Sequence, residues 1–391
     1  ATDPDLPTLQ PWWLMTGQTS ERIVTARNPH FHRVDAEGVQ LPYVDRFIFQ
    51  VVEAPLIPVK TGGGETDLQS RGLNFSDVTF LKQSEERSGM RTLLCKTATA
   101  AHLALYPNLN AEDPVWRALF RDARVRQALS LGIDRQAISN FLYFGIAAPA
   151  NNSVLAESPL YETAIATAFT THDPARANAL LDDAGLTERN RQGLRLLPDG
   201  RPFELVVETA GEDTEHSDVL ELVASQWREL GVKILTKPSQ REVLRNRIFA
   251  GETLMTIAKG IENGLPTADM SPAEYAPTSQ IHYQWPKWGQ YYETKGDAGE
   301  PVDMAGPQRL FALFEDWQHA AESAERREIW EEMLRIWSDG VYTLGLVSGV
   351  RQPVAVHPDL VNVPEQAMYN WDPGAHFGIY YPDTFWWRDA G

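Results

Sequence analysis

The sequence predicts an α/β protein built from more than one lobe, and three observations carry that expectation. At 391 residues the chain is too long for one ordinary core and suggests two or three lobes. Between Phe203 and Ala258, strand-like and helix-like stretches alternate, which implies parallel strands joined by right-handed crossovers. Around Asp113–Leu142, apolar residues recur at helical spacing behind acidic start signals, the pattern of a buried helical hairpin.

Composition narrows the class. Hydrophobic content of 43% and charged content of 23% are those of a globular protein. Lys and Arg number 35 against 53 Asp and Glu, a formal charge of −18, which argues against a nucleic-acid or anionic-membrane partner because phosphate binding needs a basic face. Cys95 is the single cysteine, so no intramolecular disulfide can form, and its strand-like surroundings make it a small core residue. No apolar run approaches the length of a membrane span. Ala1-Thr2-Asp3-Pro4 is already polar, so any export signal is expected to have been removed, or the chain to be a fragment.

Taken in order, the chain opens with an extended entry containing Trp12 and Trp13, followed by a turn-rich stretch and a largely buried strand at Phe47–Val52. His30 and His32 would share one face of a strand, but no third ligand at suitable spacing follows, so no metal site is expected. Gly62-Gly63-Gly64 lacks the Lys-Ser/Thr pair of a phosphate loop and reads as a turn. Leu93–Lys96 and His102–Tyr106 read as strands. Asp113-Pro114 opens a helix; Val125, Ala128, Leu129 and Gly132 then line one small apolar face, and Asp134 starts a second helix carrying Ile138, Phe141 and Leu142 inward.

A short helix from Asp173 to Gly185 precedes the turn Pro198-Asp199-Gly200 and the strand Phe203–Thr209. Leu220, Val223, Ala224 and Trp227 keep helical spacing up to Gly231. Val232–Thr236 is a strand, Ser239–Gly251 a helix and Leu254–Ala258 a strand. Residues 261–307 are rich in Pro, Gly and aromatics without periodicity, and predict a long loop region. Two helices follow, carrying Leu310, Leu313, Phe314 and Trp317, then Trp330, Met333, Leu334 and Trp337.

None of the catalytic motifs H-E-x-x-H, G-x-S-x-G and C-x-x-C occurs, nor does a calcium loop, so no catalytic residue and no cofactor are expected. Glu85-Glu86 and Glu331-Glu332 read as solvated helix faces. A glycosidase could still draw two carboxylates from distant positions, with Glu262, Glu274 and Asp372 the first candidates. For binding, the aromatic stretch Trp285–Tyr292, with Glu262 and Asn263 upstream, offers flat rings and polar acceptors of the kind that hold sugars, and Trp371 with Asp372 repeats the combination. The alternative is that these aromatics anchor a long loop to the core.

Several segments carry a family resemblance. DARVRQALSLGIDRQAI (residues 122–138) with YFGIAAPANNSV (143–154) resembles the signature segment of the extracellular solute-binding proteins of ABC importers, the family typified by dipeptide- and oligopeptide-binding proteins. NPHFHRVDAEGVQLPYVDR (28–46) is similar to the turn-rich segment of its longer-chain branch, which includes α-galactoside and cellobiose binders. The G-E-x-D turn at Gly64–Asp67 before DVTFLKQ (77–83) and DPARANALLDDAGL (173–186) fit the same family.

The resemblance implies a two-lobed periplasmic-binding-protein-like α/β fold (type II, cluster C) with the N-terminal part of lobe one missing. Residues 1–172 would be the remainder of lobe one, 173–346 lobe two, and 347–391 a return into lobe one. It implies a periplasmic or extracellular, membrane-associated monomer. That monomer would hold an oligosaccharide or oligopeptide between lobes, deliver it to an ABC permease and perform no chemistry. Oligopeptide binders of the family place an Asp after the strand matching Leu254–Ala258; here Lys259-Gly260-Ile261-Glu262-Asn263 stands there, where Glu262 could substitute, with Asp269 further on. The missing Asp tilts the expectation toward an oligosaccharide. The expected ligand set is Arg241, Glu262, Asn263, Trp285, Trp288, Tyr292, Trp371 and Asp372.

Overall fold

A computed structural model describes residues 7–17, 21–211, 214–369 and 379–388. The chain forms two compact units: one combines the residues up to Thr97 with those from Arg351 onward, and the other is Ala98–Val350.

The first unit begins with β1 (Trp12–Leu14), β2 (Arg22–Arg27) and β3 (Ile48–Gln50), an antiparallel sheet in that order. The strand expected to be largely buried at 47–52 is instead exposed, with Ile48, Phe49 and Val51 at 47%, 52% and 59%, because β3 is the edge of a small sheet. Next come α1 (Leu56–Gly62), β4 (Leu68–Gln69), α2 (Val78–Ser88) and β5 (Arg91–Thr97). The triple glycine is the end of α1: Gly64 takes φ +78° and lies against the backbone of Ser88, where a side chain would collide.

The second unit opens with β6 (Ala104–Pro107), followed by α3 (Pro114–Arg121), α4 (Ala123–Leu131) and α5 (Arg135–Leu142). The expected hairpin is thus three helices, each started by an aspartate whose side chain accepts a backbone N–H: Asp113 from Val115, Asp122 from Arg124, Asp134 from Ala137. Two arginines inside this stretch are buried. The Arg126 Nε donates to the Gly340 carbonyl at 2.8 Å, and Arg135 reaches the carbonyls of Gly345 (2.8 Å), Ser130 (2.9 Å) and Thr170 (3.3 Å) and the Ser130 hydroxyl (2.7 Å). Each guanidinium fork therefore stitches separate segments together at their carbonyls. Phe141 does not face inward: it is 73% exposed, because Arg135, Ile138 and Ser139 occupy the buried side of α5.

Then follow β7 (Ala148–Pro149), α6 (Thr163–Ala166), α7 (Pro174–Asp183), β8 (Glu204–Ala210), α8 (Thr214–Glu229), β9 (Lys233–Ser239), α9 (Arg241–Ala250) and β10 (Met255–Ala258). The unit closes with α10 (Pro286–Glu293), α11 (Ala305–His319), α12 (Ser323–Gly340), β11 (Leu344–Gly345) and β12 (Val347–Ser348). Its main sheet runs β11-β6-β10-β8-β9, with β10, β8 and β9 parallel as the alternating pattern implies, and β6 antiparallel to both neighbours. This pairing places residues 98–172 in the second unit, so the expected boundary at 172/173 does not separate the two units; β6 is hydrogen-bonded between β11 and β10. Pairing of β12 with β7 likewise carries the second unit to Val350, past the expected division at 346/347. The predicted loop at 261–307 contains α10, a helix that Pro286 at its first turn and Gly289 within it conceal from a periodicity reading.

The chain returns with β13 (Gln352–Val356), β14 (Leu360–Val361), β15 (Met368–Tyr369) and β16 (Trp386–Trp387). β13 inserts between β5 and β4, both antiparallel to it, and β15 extends the sheet parallel to β5. Cys95 is buried here against Val354, Val356 and Phe385. Among the described residues no helix is long and apolar enough to cross a membrane, and no group of three or more His, Cys, Asp and Glu could hold a metal ion.

Candidate ligand site

In an open α/β sheet, ligands gather beyond the carboxyl ends of the parallel strands. In the second unit that edge is formed by the segments leaving β8, β9 and β10 and by the stretch entering β6. The exit from β10 is tight and fully specified. Gly260 donates to the Ala101 carbonyl at 3.0 Å, Ile261 to the Asn152 side-chain oxygen at 2.9 Å, and Ala100 to the Ile261 carbonyl at 2.9 Å. A side chain at Gly260 would run into Asn152 and Ala101, so only glycine lets the two strands' extensions meet.

This zipper presents Glu262 and Asn263. Glu262 is exposed, and its backbone N–H, with that of Asn263, donates to the carboxylate of Glu274 at 3.1 and 3.4 Å. Burial raises the pKa of Glu274; the two N–H groups oppose that, and the negative charge of Glu262 adds to it. Asn263 is turned to its own loop: its carbonyl oxygen accepts the Leu265 N–H at 3.1 Å. Tyr106 donates to the Lys259 carbonyl at 2.6 Å and meets Tyr283 edge to face with ring centres 5.5 Å apart. The Tyr283 hydroxyl is raised mainly by burial, with Arg241 and Arg245 pulling it down and Glu262 pushing it up. Arg241 and Arg245 belong to the first turns of α9, so this corner combines two guanidinium groups, two carboxylates and two phenols.

The exit from β8 supplies a second cluster. His102 Nε2 lies 3.0 Å from a carboxylate oxygen of Glu215 in the first turn of α8, and the Tyr143 ring stands edge-on to His102 at 5.4 Å. Burial alone would raise Glu215, yet His102, Tyr143 and His216 together bring its carboxyl down to about 2. His216 Nδ1 in turn sits 3.2 Å from the Thr209 hydroxyl.

Of the sequence candidates, Arg241, Glu262 and Asn263 come together at this edge. Trp285 and Trp288 do not: both are 0% exposed, packed in one aromatic core with Tyr275, Trp330, Trp337 and Tyr342, so neither ring offers a face to a sugar. Tyr292 packs edge-on to Phe311 at 5.4 Å and Phe314 at 6.2 Å. Asp269, the acid further along from the position of the missing Asp, is held by Arg326 at 3.0 Å and Ser323 at 2.8 Å, which occupies its carboxylate. Trp371 and Asp372 lie outside the described residues. Tyr106, Tyr283, His102 and Glu215 were not singled out from the sequence; only Glu215, in the first turn of the helix after β8, carried a positional signal.

Comparison with known proteins gives a consistent result. The profile described as "Bacterial extracellular solute-binding proteins, family 5 Middle" matches residues 6–280. The periplasmic alpha-galactoside-binding protein of Rhizobium meliloti (strain 1021) is 21% identical over 384 residues, 94% of this chain and 54% of that protein. Among solved structures, an oligopeptide-binding protein OppA is 28% identical with a TM-score of 0.69, covering 99% of this chain and 64% of that one. The periplasmic binding protein MelB of Agrobacterium fabrum C58, solved in complex with stachyose, shares the fold at a TM-score of 0.75 and 18% identity, covering 98% of this chain and 57% of that one. The chain thus spans between about half and two thirds of the length of these relatives.

Proposed function

The chain belongs to the bacterial extracellular solute-binding proteins of family 5, and on that footing we propose that it captures an oligosaccharide outside the cytoplasm, as a periplasmic monomer, and hands it unaltered to an ABC permease. The observation that carries the reading is the exit from β10, which presents the exposed Glu262 near the Tyr283 phenol, with Arg241 and Arg245 on α9 acting on the same hydroxyl. A polyhydroxylated ligand uses donors and acceptors alike and needs no fixed charge. The similarity to an α-galactoside-binding protein across 94% of the chain supports this choice.

Oligopeptide capture is the second reading. The Glu262–Glu274 acidic pair favours it, since Glu262 occupies the turn where peptide binders of the family carry the acid that meets a free amine. Glycoside hydrolysis is disfavoured because the Glu274 carboxylate is engaged by two backbone N–H groups.

Calorimetric titration with stachyose and with mixed pentapeptides, followed by chromatography of the recovered ligand, tests the reading. Saturable sugar binding with intact recovery supports it, peptide-only binding transfers it to Glu262 as an amine acceptor, and trimmed sugar contradicts it.

A further inference from the structure

Away from the residues of the sheet edge, a cavity of about 430 Å³ opens between α10, the loop that follows it and α11. None of its lining residues belongs to the edge set. Tyr291, Tyr292 and Phe311 give it aromatic walls, and Tyr292 and Phe311 brace each other at 5.4 Å. Trp288 backs the cavity from the core without exposing its ring.

Two charges complete the lining. Lys295 and Glu315 are exposed, and among the described residues neither side chain joins an ion pair. That contrasts with Arg309 on the same helix as Glu315, which binds Glu332 at 2.7 Å. The loop between α10 and α11 is held in place: Arg117 grips Glu300 through two bonds of 3.0 and 3.1 Å, Arg121 binds Asp303 at 2.8 Å, and the Thr294 hydroxyl accepts the Ala298 N–H at 2.9 Å. Gly296, at φ +93°, lies close over the Tyr291 ring, where a Cβ would sit 3.4 Å from it. The walls are therefore assembled without a ligand.

We propose that this cavity is a second small-molecule site, one that takes a zwitterion with an apolar side chain, in class an aromatic α-amino acid. Its carboxylate would be met by Lys295, its ammonium by Glu315, and its side chain by Tyr291, Tyr292 and Phe311. A neutral sugar or an apolar molecule would use the aromatic walls but neither charge.

The test is calorimetric titration of the whole chain with L-phenylalanine, 3-phenylpropionate (no ammonium) and phenethylamine (no carboxylate). L-Phenylalanine is expected to saturate, and each one-charge analogue to bind at least about tenfold more weakly, the loss of one charge-assisted hydrogen bond. Lys295→Met and Glu315→Gln change exposed side chains without disturbing the core. Each is expected to weaken L-phenylalanine about tenfold while leaving stachyose or pentapeptide binding unchanged. Glu262→Gln separates this site from the sheet edge and is expected to leave L-phenylalanine binding unchanged. No saturable binding of L-phenylalanine, equal binding of 3-phenylpropionate, or loss on Glu262→Gln without loss on Lys295→Met would each overturn the proposal. None of these outcomes bears on ligand capture at the edge, which the stachyose and peptide titrations decide.

Discussion

The carboxylate of Glu274 holds the backbone of Glu262, accepting its N–H at 3.1 Å, and so fixes the turn that presents the Glu262 side chain. Glu274 performs this service with a raised pKa, caused first by burial. An acid raised in the folded state carries a stability cost while ionised. That cost is present above the folded pKa and relieved as pH falls toward the unfolded value near 4.3. Gln drops the charge and keeps one acceptor, for the Glu262 N–H, but loses the second oxygen that accepts from Asn263 at 3.4 Å. Glu274→Gln is therefore expected to flatten the pH dependence and to cost less stability than removal of both acceptors. Glu274→Ala strands two donors and is expected to cost about 1–3 kcal/mol. Urea unfolding between pH 4 and 8 measures both, and a Gln variant as damaged as Ala would contradict the assignment.

Arg135 ties α5 to the carbonyls of Gly345, Ser130 and Thr170 within the second unit. Arg135→Ala removes one buried fork and leaves those acceptors unmet, an expected loss of about 3–5 kcal/mol. Arg135→Lys should recover little of it, because a point charge cannot reach acceptors spread around a planar fork. Denaturant midpoints of the two variants decide this, and near-complete rescue by Lys would be the contrary result.

Glu215 is brought down to about 2 by His102, Tyr143 and His216 against its burial. A depressed acid contributes stability above its unfolded value near 4.3, and that contribution disappears as pH falls through about 2. Between pH 5 and 2 the chain is expected to lose on the order of 2–3 kcal/mol that Glu215→Gln does not lose. Parallel acid titrations of unfolding free energy would show the two curves converging at low pH; parallel curves would refute the pairing.

Trp285 and Trp288 are core residues in this structure. Truncation of Trp285 to Ala is expected to cost about 3–5 kcal/mol of stability, read as a lowered Tm. A Trp285→Ala variant of full stability with lost sugar binding would return the ring to the ligand.

The crossover run from α7 to β10 was legible in the sequence because each strand is a short apolar block and each helix ends at a glycine: Gly185, Gly231 and Gly251 all take positive φ. Helix α10 was not legible, because Gly289 is there for packing: a side chain would strike the backbone of Ser279 and Gln280. Exposure at β3 and burial at Trp285 escaped the sequence for one reason, that both depend on which segments pack nearby rather than on local pattern. At the edge site, Glu262 and Arg241 were readable as residues just past strand ends. Tyr106 and Tyr283 were not, since the β6–β10 pairing and the loop beyond β10 bring them there from distant positions. The lobe division at 172/173 followed a change in composition, whereas the units follow strand pairing.

Hydrogen exchange with and without saturating stachyose, repeated with a mixed pentapeptide, tests most directly the claim that the carboxyl edge of the second unit's sheet takes the ligand. With the ligand that binds, the amides of Lys259–Gly264 and of the facing stretch 98–104 are expected to slow, and Glu262→Gln to abolish that protection. Protection confined to other segments, or protection at this edge that survives Glu262→Gln unchanged, would contradict the account.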